Sequence, residues 1–339
     1  MGVVITALRR VLLIGLIFSL TLIGLLLSMF LAISFGAKEI TLKTVWMAVI
    51  HYDPTLTSHQ IIHTLRLPRV IGAAVIGAAF AVAGALMQGV TRNPLADTGI
   101  LGINGGAMLV VAVSFAFFPN IPYSVLMLLS FAGSVMSTLF IFLLVTSMPD
   151  GLTPIRLTVA GAVVAALLGS LSSGIAIYFE LSQDLAFWYA GGVAGIKWEY
   201  LKLLVPIISL TIACSMVLAR SVSVVSLGDD VAVNLGVNTK RVRTLGMAAA
   251  VILAGVSVSA AGSIGFIGLV IPHISRKLVG VNYQLIVPMS ALLGAVLLVI
   301  ADLGARMVNP PKELAIGAMV ALVGVPFFLY LARKERRSL

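Results

Sequence analysis

Along this 339-residue chain, apolar runs near the length of a bilayer crossing begin and end about ten times. A crossing helix needs roughly 20 apolar residues. In lipid, a helix is the form in which such a segment satisfies its own backbone N–H and C=O groups. The runs fall at 11–34, 68–89, 98–118, 123–147, 157–178, 200–219, 244–264, 265–280, 284–305 and 313–332. Only 10% of residues are charged and 60% are hydrophobic, whereas a soluble domain carries about 25% charged residues. The expectation is an all-α polytopic membrane protein, forming one transmembrane domain over 1–339 with no separating linker. The eighth run is the short one, because Gly265-Phe-Ile-Gly-Leu-Val-Ile-Pro272 should break it early. The first reads as an uncleaved anchor. The single cysteine, Cys214, lies within a span and has no internal partner for a disulfide.

With ten spans both termini share a side. Fourteen of the 22 Lys and Arg then fall on that side, among them Arg92, Arg220, Lys240, Arg241, Arg243, Arg276 and Lys277. By the positive-inside rule the termini are cytoplasmic. Trp46, Trp188 and Trp198 fall at the outer interface. The net charge of +10 reflects this topology and attraction to anionic lipid; dispersed in short loops, it does not form a nucleic-acid surface.

Residues 36–64 make the longest outer loop, with a helix expected over Thr41–Ile50. The second span carries small residues at every fourth position, Ala73, Gly77, Ala81, Ala85 and Gly89. Such a row lets another helix approach backbone to backbone, which is how helices associate where apolar burial gains nothing. Gly246, Ala250, Ala254 and Gly262 form a similar row in the seventh. Gly77, Ala83-Gly84 and Pro94 also match Gly255, Ala261-Gly262 and Pro272 at identical spacings. Five spans separate the two segments, so they run in opposite directions, as in the inverted repeat of a transporter.

Chemistry-bearing residues are few. The dipeptide Gly-Lys of a phosphate-binding loop never occurs, so any ATP-driven work needs another chain. His51, His59, His63 and His273 show no metal-ligand spacing, and no metal site is expected. A Ser172–His273 pair is the remote enzymatic alternative. Asp302 is the one acid placed within a span, near its outer end, which argues against ion coupling. Gln88 to Asp97 closes the second span through the Asn93-Pro94 turn.

Three regions carry alternatives. Arg66 and Arg69, with Arg306 and Lys312, sit at the outer mouth, where they either snorkel to lipid phosphate or dock an acidic partner. Residues 182–195 are too polar and short to span. They read either as an interfacial loop or as a re-entrant gate helix hinged at Gly191-Gly192. The segment 227–238 forms a polar island: Gly228 and Gly236 bracket a short helix with an acidic start at Asp229-Asp230. Val231 and Leu235 make its apolar face, and Asn238 caps the next span. It either rests on the bilayer or receives a soluble partner.

The chain resembles the permease subunits of ABC importers for iron–siderophores, haem and cobalamin (the FecCD family). The resemblance is carried by Arg66-Leu-Pro-Arg69, Gly84-Ala-Leu-Met-Gln-Gly89 and Arg92-Asn-Pro-Leu-Ala-Asp97. Further along it rests on Leu227-Gly-Asp-Asp with Leu235-Gly-Val-Asn238, and on Gly262-Ser-Ile-Gly-Phe-Ile-Gly-Leu-Val-Ile-Pro-His273. Ala301-Asp-Leu-Gly-Ala-Arg306 and Glu313-Leu-Ala-Ile-Gly317 complete it. Thr98 stands where the family often has proline.

The resemblance implies ten helices in a cobalamin-importer-like arrangement within the bacterial cytoplasmic membrane. It further implies a second permease subunit, two cytoplasmic ATPase subunits that bind the ATP, and an extracytoplasmic binding protein. Residues Leu227, Gly228, Asp229, Asp230, Val231, Leu235, Gly236, Val237 and Asn238 would couple to the ATPase, within a cytoplasmic loop at about 220–243. Arg66, Arg69 and Arg306 would meet glutamates of the binding protein. The fifth helix and residues 182–195, with Leu185, Trp188, Gly191 and Gly192, would line and gate the path. The cargo expected is a ferric siderophore, with haem or cobalamin as the alternative within the family and an ion-coupled carrier or channel outside it. No cofactor or chemistry of its own is expected of the chain.

Overall fold

The computed structural model describes residues 2–36, 40–147, 154–310 and 312–335. Helix α1 (Gly2–Ser34) is apolar from Val11 onward and hardly covered there by the rest of the chain, with Leu12, Leu20 and Leu26 exposed. Such a surface suits lipid. Helix α2 (Leu42–Ile50) is the expected outer helix, opened by the Thr41 hydroxyl accepting from Thr44 N–H at 3.3 Å. Helix α3 (Thr57–Ile61) runs through a π-turn at Ile62–Arg66 straight into α4 (Leu67–Thr91). The second span is therefore longer than its apolar core suggests. Pro68 has no N–H to return to the carbonyl four residues back, and the widened turn accommodates that gap.

Helix α4 is the axis of the bundle. The small-residue row works as read: a Cβ on Gly77 would collide with the Gly294 carbonyl, and one on Gly89 with Val222 and Tyr283, while Gly84, outside that row, meets the Gly268 backbone just as closely. After Arg92, which takes a left-handed conformation at φ 54°, the chain turns through a 3₁₀ turn at Thr98–Leu101 whose first N–H is capped by Asp97. Helix α5 (Ile103–Phe117) and helix α6 (Tyr123–Thr146) pack through Gly106 and Gly133. The hydroxyls of Ser134, Ser137 and Thr138 donate to the Ile103, Gly102 and Leu101 carbonyls, at 3.1, 2.6 and 2.9 Å.

The second half comprises α7 (Pro154–Tyr178), α8 (Ser182–Ala190), α9 (Trp198–Ser226) and α10 (Asp229–Asn234). Helices α11 (Thr239–Ala261), α12 (Ile267–Val279), α13 (Tyr283–Met307) and α14 (Ile316–Glu335) complete it. Among the described residues, seven helices are long and apolar enough to cross a membrane; Ile103–Phe117 and Ile316–Leu329 are shorter apolar helices. The eighth expected span, 265–280, is α12, and its 13 residues reach only about 20 Å at 1.5 Å each. The break also lies elsewhere than expected. The chain unwinds at Gly262–Phe266, with φ 72° and 68° at its two ends, and Pro272 lies inside α12. Pro272 cannot bond the Gly268 carbonyl, and the Gln88 side chain on α4 donates to it instead, at 3.3 Å. The segments paired by spacing also pack differently: Gly77 meets Gly294, whereas Gly255 faces Phe131.

A side chain at Gly84 forces two backbones apart, and overpacking of this kind typically costs about 1–3 kcal/mol, sometimes more. Gly84→Val should lower the melting temperature in detergent well below that of Gly15→Val, since Gly15 has nothing within 4 Å of a Cβ. Equal melting temperatures would remove α4 from its central place.

Candidate functional site

At one end of the bundle the chain leaves α9 and enters α10. Gly228, at φ 128°, supplies the turn, and Gly236, at φ 76°, ends the short helix. Asn238 Oδ1 then accepts from Arg241 N–H at 3.0 Å and caps α11. These are the elements read from the sequence. Leu227, Val231, Val233 and Leu235 remain exposed, an apolar surface on the polar rim, while Ala232 anchors the helix from beneath. The first acid of the pair is engaged: Asp229 accepts from Arg92, at the end of α4, at 2.9 Å. It also accepts from Arg243, on α11, at 2.9 and 3.1 Å. Neither arginine pairing was read from the sequence, because both partners are remote from residue 229 or separated from it by a helix boundary.

Towards the opposite end, α8 is a real helix and stops at Gly191, at φ 76°. Leu185 is 2% exposed and packs with Ala112 and Ala176, fixing α8 to α5 and α7. Gly191 and Gly192 lie against the carboxyl end of α11. Gly192 N–H donates to the Ala261 carbonyl at 2.9 Å, and a Cβ on Gly262 would collide with the Trp188 carbonyl. Beside α8, α7 exposes Ala162, Ala166, Ser170 and Gly174 as one row of small residues, next to a bulkier exposed row of Val163, Leu167 and Leu171.

The same end holds the three arginines. Arg66 and Arg306 are buried, 8% and 7% exposed. Arg66 donates to the Ile33 and Ser34 carbonyls, and Arg306 to those of Ala32 and Phe35 at 3.0 and 3.2 Å. Together they satisfy the carbonyls left open where α1 ends, where the helix dipole favours cations. Asp302, fully buried, takes Arg306 at 3.0 Å and Arg69 at 2.8 Å. Arg69 turns its other edge to Glu313, at 2.8 and 2.9 Å. Three cations thus face two carboxylates and a helix terminus. Arg69 with half-exposed Glu313 forms the part of the cluster nearest the surface. The signal that would have found the pairing was present: Asp302 and Glu313 fall on the same side of the sequence topology as the arginines.

Gln88 links a further pair of helices. Its amide donates to α12 carbonyls, while its carbonyl accepts from Arg276 at 3.0 Å. The Ser172 hydroxyl is bonded to the Leu168 carbonyl of its own helix at 2.7 Å.

Comparison with known proteins places this geometry. The FecCD transport family model matches residues 9–334. The iron(3+)-hydroxamate import system permease protein FhuB of Bacillus subtilis is 52% identical over 315 residues, covering 93% of this chain and 82% of that protein. The iron-uptake system permease protein FeuB of the same organism is 42% identical over 309 residues, covering 91% and 92%. Among solved structures, a metal-chelate type ABC transporter in an inward-facing conformation superposes with a TM-score of 0.83 at 27% identity, covering 94% of this chain and 99% of that one.

Removing one partner of a buried ion pair costs about 3–5 kcal/mol, so Asp302→Ala should destabilise the protein strongly in detergent melts. Hydrogen bonds from Arg69 hold the Glu313 carboxyl below the usual glutamate range. A depressed pKa means the Glu313 contribution is complete above that range and is lost as pH falls through the lowered value. Melting temperature should therefore drop on acidification, and Glu313→Gln should remove part of that drop. Identical acid profiles would show that the pair contributes nothing.

Proposed function

Since the chain belongs to the FecCD transport family, we propose that it is the permease subunit of an ABC importer that carries a ferric siderophore of the hydroxamate class across the bacterial cytoplasmic membrane. The likeness to FhuB, 52% over nearly the whole chain, is the observation that carries the cargo assignment. Iron is cargo here, held by its chelator. A ferric-citrate importer permease of Bacillus subtilis at 41% identity makes a carboxylate siderophore the second reading.

In this reading the termini and α10 face the cytoplasm, where two ATPase subunits dock on Leu227, Val231 and Leu235. Exposure of these apolar side chains on a polar rim supports it. A second permease subunit faces α7, whose small residues leave room for a bulky chelate. An acidic binding protein approaches the rim beside Arg69, exchanging its own carboxylate for that of Glu313. Arg66 and Arg306, buried under α1, position this rim from below. ATP hydrolysis belongs to the partner chain; this chain supplies the conduit.

Uptake of radioactive iron as a ferric hydroxamate, measured in cells lacking the native chain, tests the proposal. Gly228→Pro and Leu235→Asp should reduce uptake to background while the amount of protein in the membrane is unchanged. A tagged pull-down of the unmodified chain should recover a nucleotide-binding ATPase. Wild-type uptake by both variants, or import by vesicles holding this chain alone, would overturn the reading in favour of a carrier or channel.

A further inference from the structure

Helices α9 and α11 lie side by side, and they are joined at both ends. At one end the chain itself joins them through α10. At the other the junction is not covalent: α8 and the 191–197 segment lead into α9, and Gly192 N–H bonds the last carbonyl of α11. Gly191 and Gly262 seat this junction at backbone contact, since a Cβ on Gly191 would lie 2.7 Å from the Ala261 carbonyl oxygen. Residues 182–262 thus form a closed frame that carries α10 at one end and α8 at the other.

Of the two long sides of the frame, α9 contains Pro206, whereas α11 runs for 23 residues without proline. At 1.5 Å per residue α11 extends about 35 Å, with every turn hydrogen-bonded, and it is the stiffer side. Its first turns are tied to α10 by the pair between Arg243 and Asp229. The same carboxylate ties the frame to α4 through Arg92. Nearby, Gly246 of α11 seats against Val90 of α4. Asp229 is therefore where three helices meet: the short exposed one, the central one and the strut.

We propose that Asp229 and the Gly192–Ala261 junction are the two pins of one transmission element, with α11 as its strut. Displacement of α10 is carried along α11 to α8, so the docking helix and the helix at the far mouth move together. Arg92 and Arg243 act as positioning residues: they touch neither cargo nor nucleotide, and they fix how α10 sits on α4 and α11. A loss of either pin leaves both ends folded and disconnects them. This inference rests on α10 being the surface that the ATPase engages.

The test uses the complex as it co-purifies, ATPase included, in lipid nanodiscs. Cys214→Ser removes the native thiol, and Phe187→Cys places one on α8, where residue 187 is 86% exposed. Maleimide labelling at residue 187 should change severalfold when the ATPase is trapped with ATP and vanadate. Two variants address the pins separately. Arg92→Gln with Arg243→Gln releases Asp229, and Gly192→Pro removes the donor to Ala261 and places the ring Cδ where that N–H pointed, which opens the junction. Each should abolish the nucleotide-dependent change while the complex still assembles and hydrolyses ATP.

Persistence of the labelling change in both assembled variants overturns the proposal. So does the absence of any nucleotide response at residue 187 in the unmodified frame. Failure of the unmodified chain to recover an ATPase would overturn the docking reading beneath it, an outcome distinct from the other two.

Discussion

Everything in this fold depends on how closely α4 can be approached. Between lipid-facing helices there is no hydrophobic gain from association, because the tails are as apolar as the side chains. Contact must come from packing, and packing between backbones needs residues without bulk. Gly77 against Gly294 and Gly84 against Gly268 place α13 and α12 on α4 at distances a methyl group would forbid. The consequence runs outward. With α12 held against Gly84, the Gly268 carbonyl freed by Pro272 comes within reach of Gln88. The polar bond depends on the small-residue contact, and the small-residue contact alone would leave a carbonyl unsatisfied in the membrane.

Charge follows a complementary rule. It collects at the ends of the helices, where partners are available, and each cluster joins elements distant in sequence. Asp302 and Glu313 bind an arginine of α4, Asp302 a second from its own helix, and both buried guanidiniums finish α1. Asp229 gathers α4, α10 and α11. Buried pairs add little net stability over apolar packing, but breaking one by removing a partner is expensive. Such clusters therefore fix geometry, and here they fix it at the two ends of the bundle.

The sequence was legible wherever a signal is local. Apolar runs placed the long helices; Gly228, Gly236 and Asn238 placed α10 and the start of α11; the four-residue row through Gly77 and Gly89 announced close packing. What it hid was the partnering of side chains across the bundle. Arg66 and Arg306 read as surface cations because a guanidinium beside a span usually reaches for water, and the carbonyls they cap have no sequence signature. Proline misled at 272 for a related reason. It frees the carbonyl four residues back, and the donor that takes it up, Gln88, lies 184 positions earlier in the chain.

The seat of α1 has a consequence for biosynthesis. This helix is made before the helices that cover its carboxyl end, and its Val11–Ser34 stretch is apolar enough to enter the bilayer alone. Its carboxyl end is finished by Arg66, which follows soon after, and by Arg306, which lies 240 positions beyond Arg66. Until then the Ala32 and Phe35 carbonyls lack the guanidinium that holds them in the finished fold. Helix α1 is therefore made well before it is locked, and a chain truncated before residue 306 would carry α1 loosely attached.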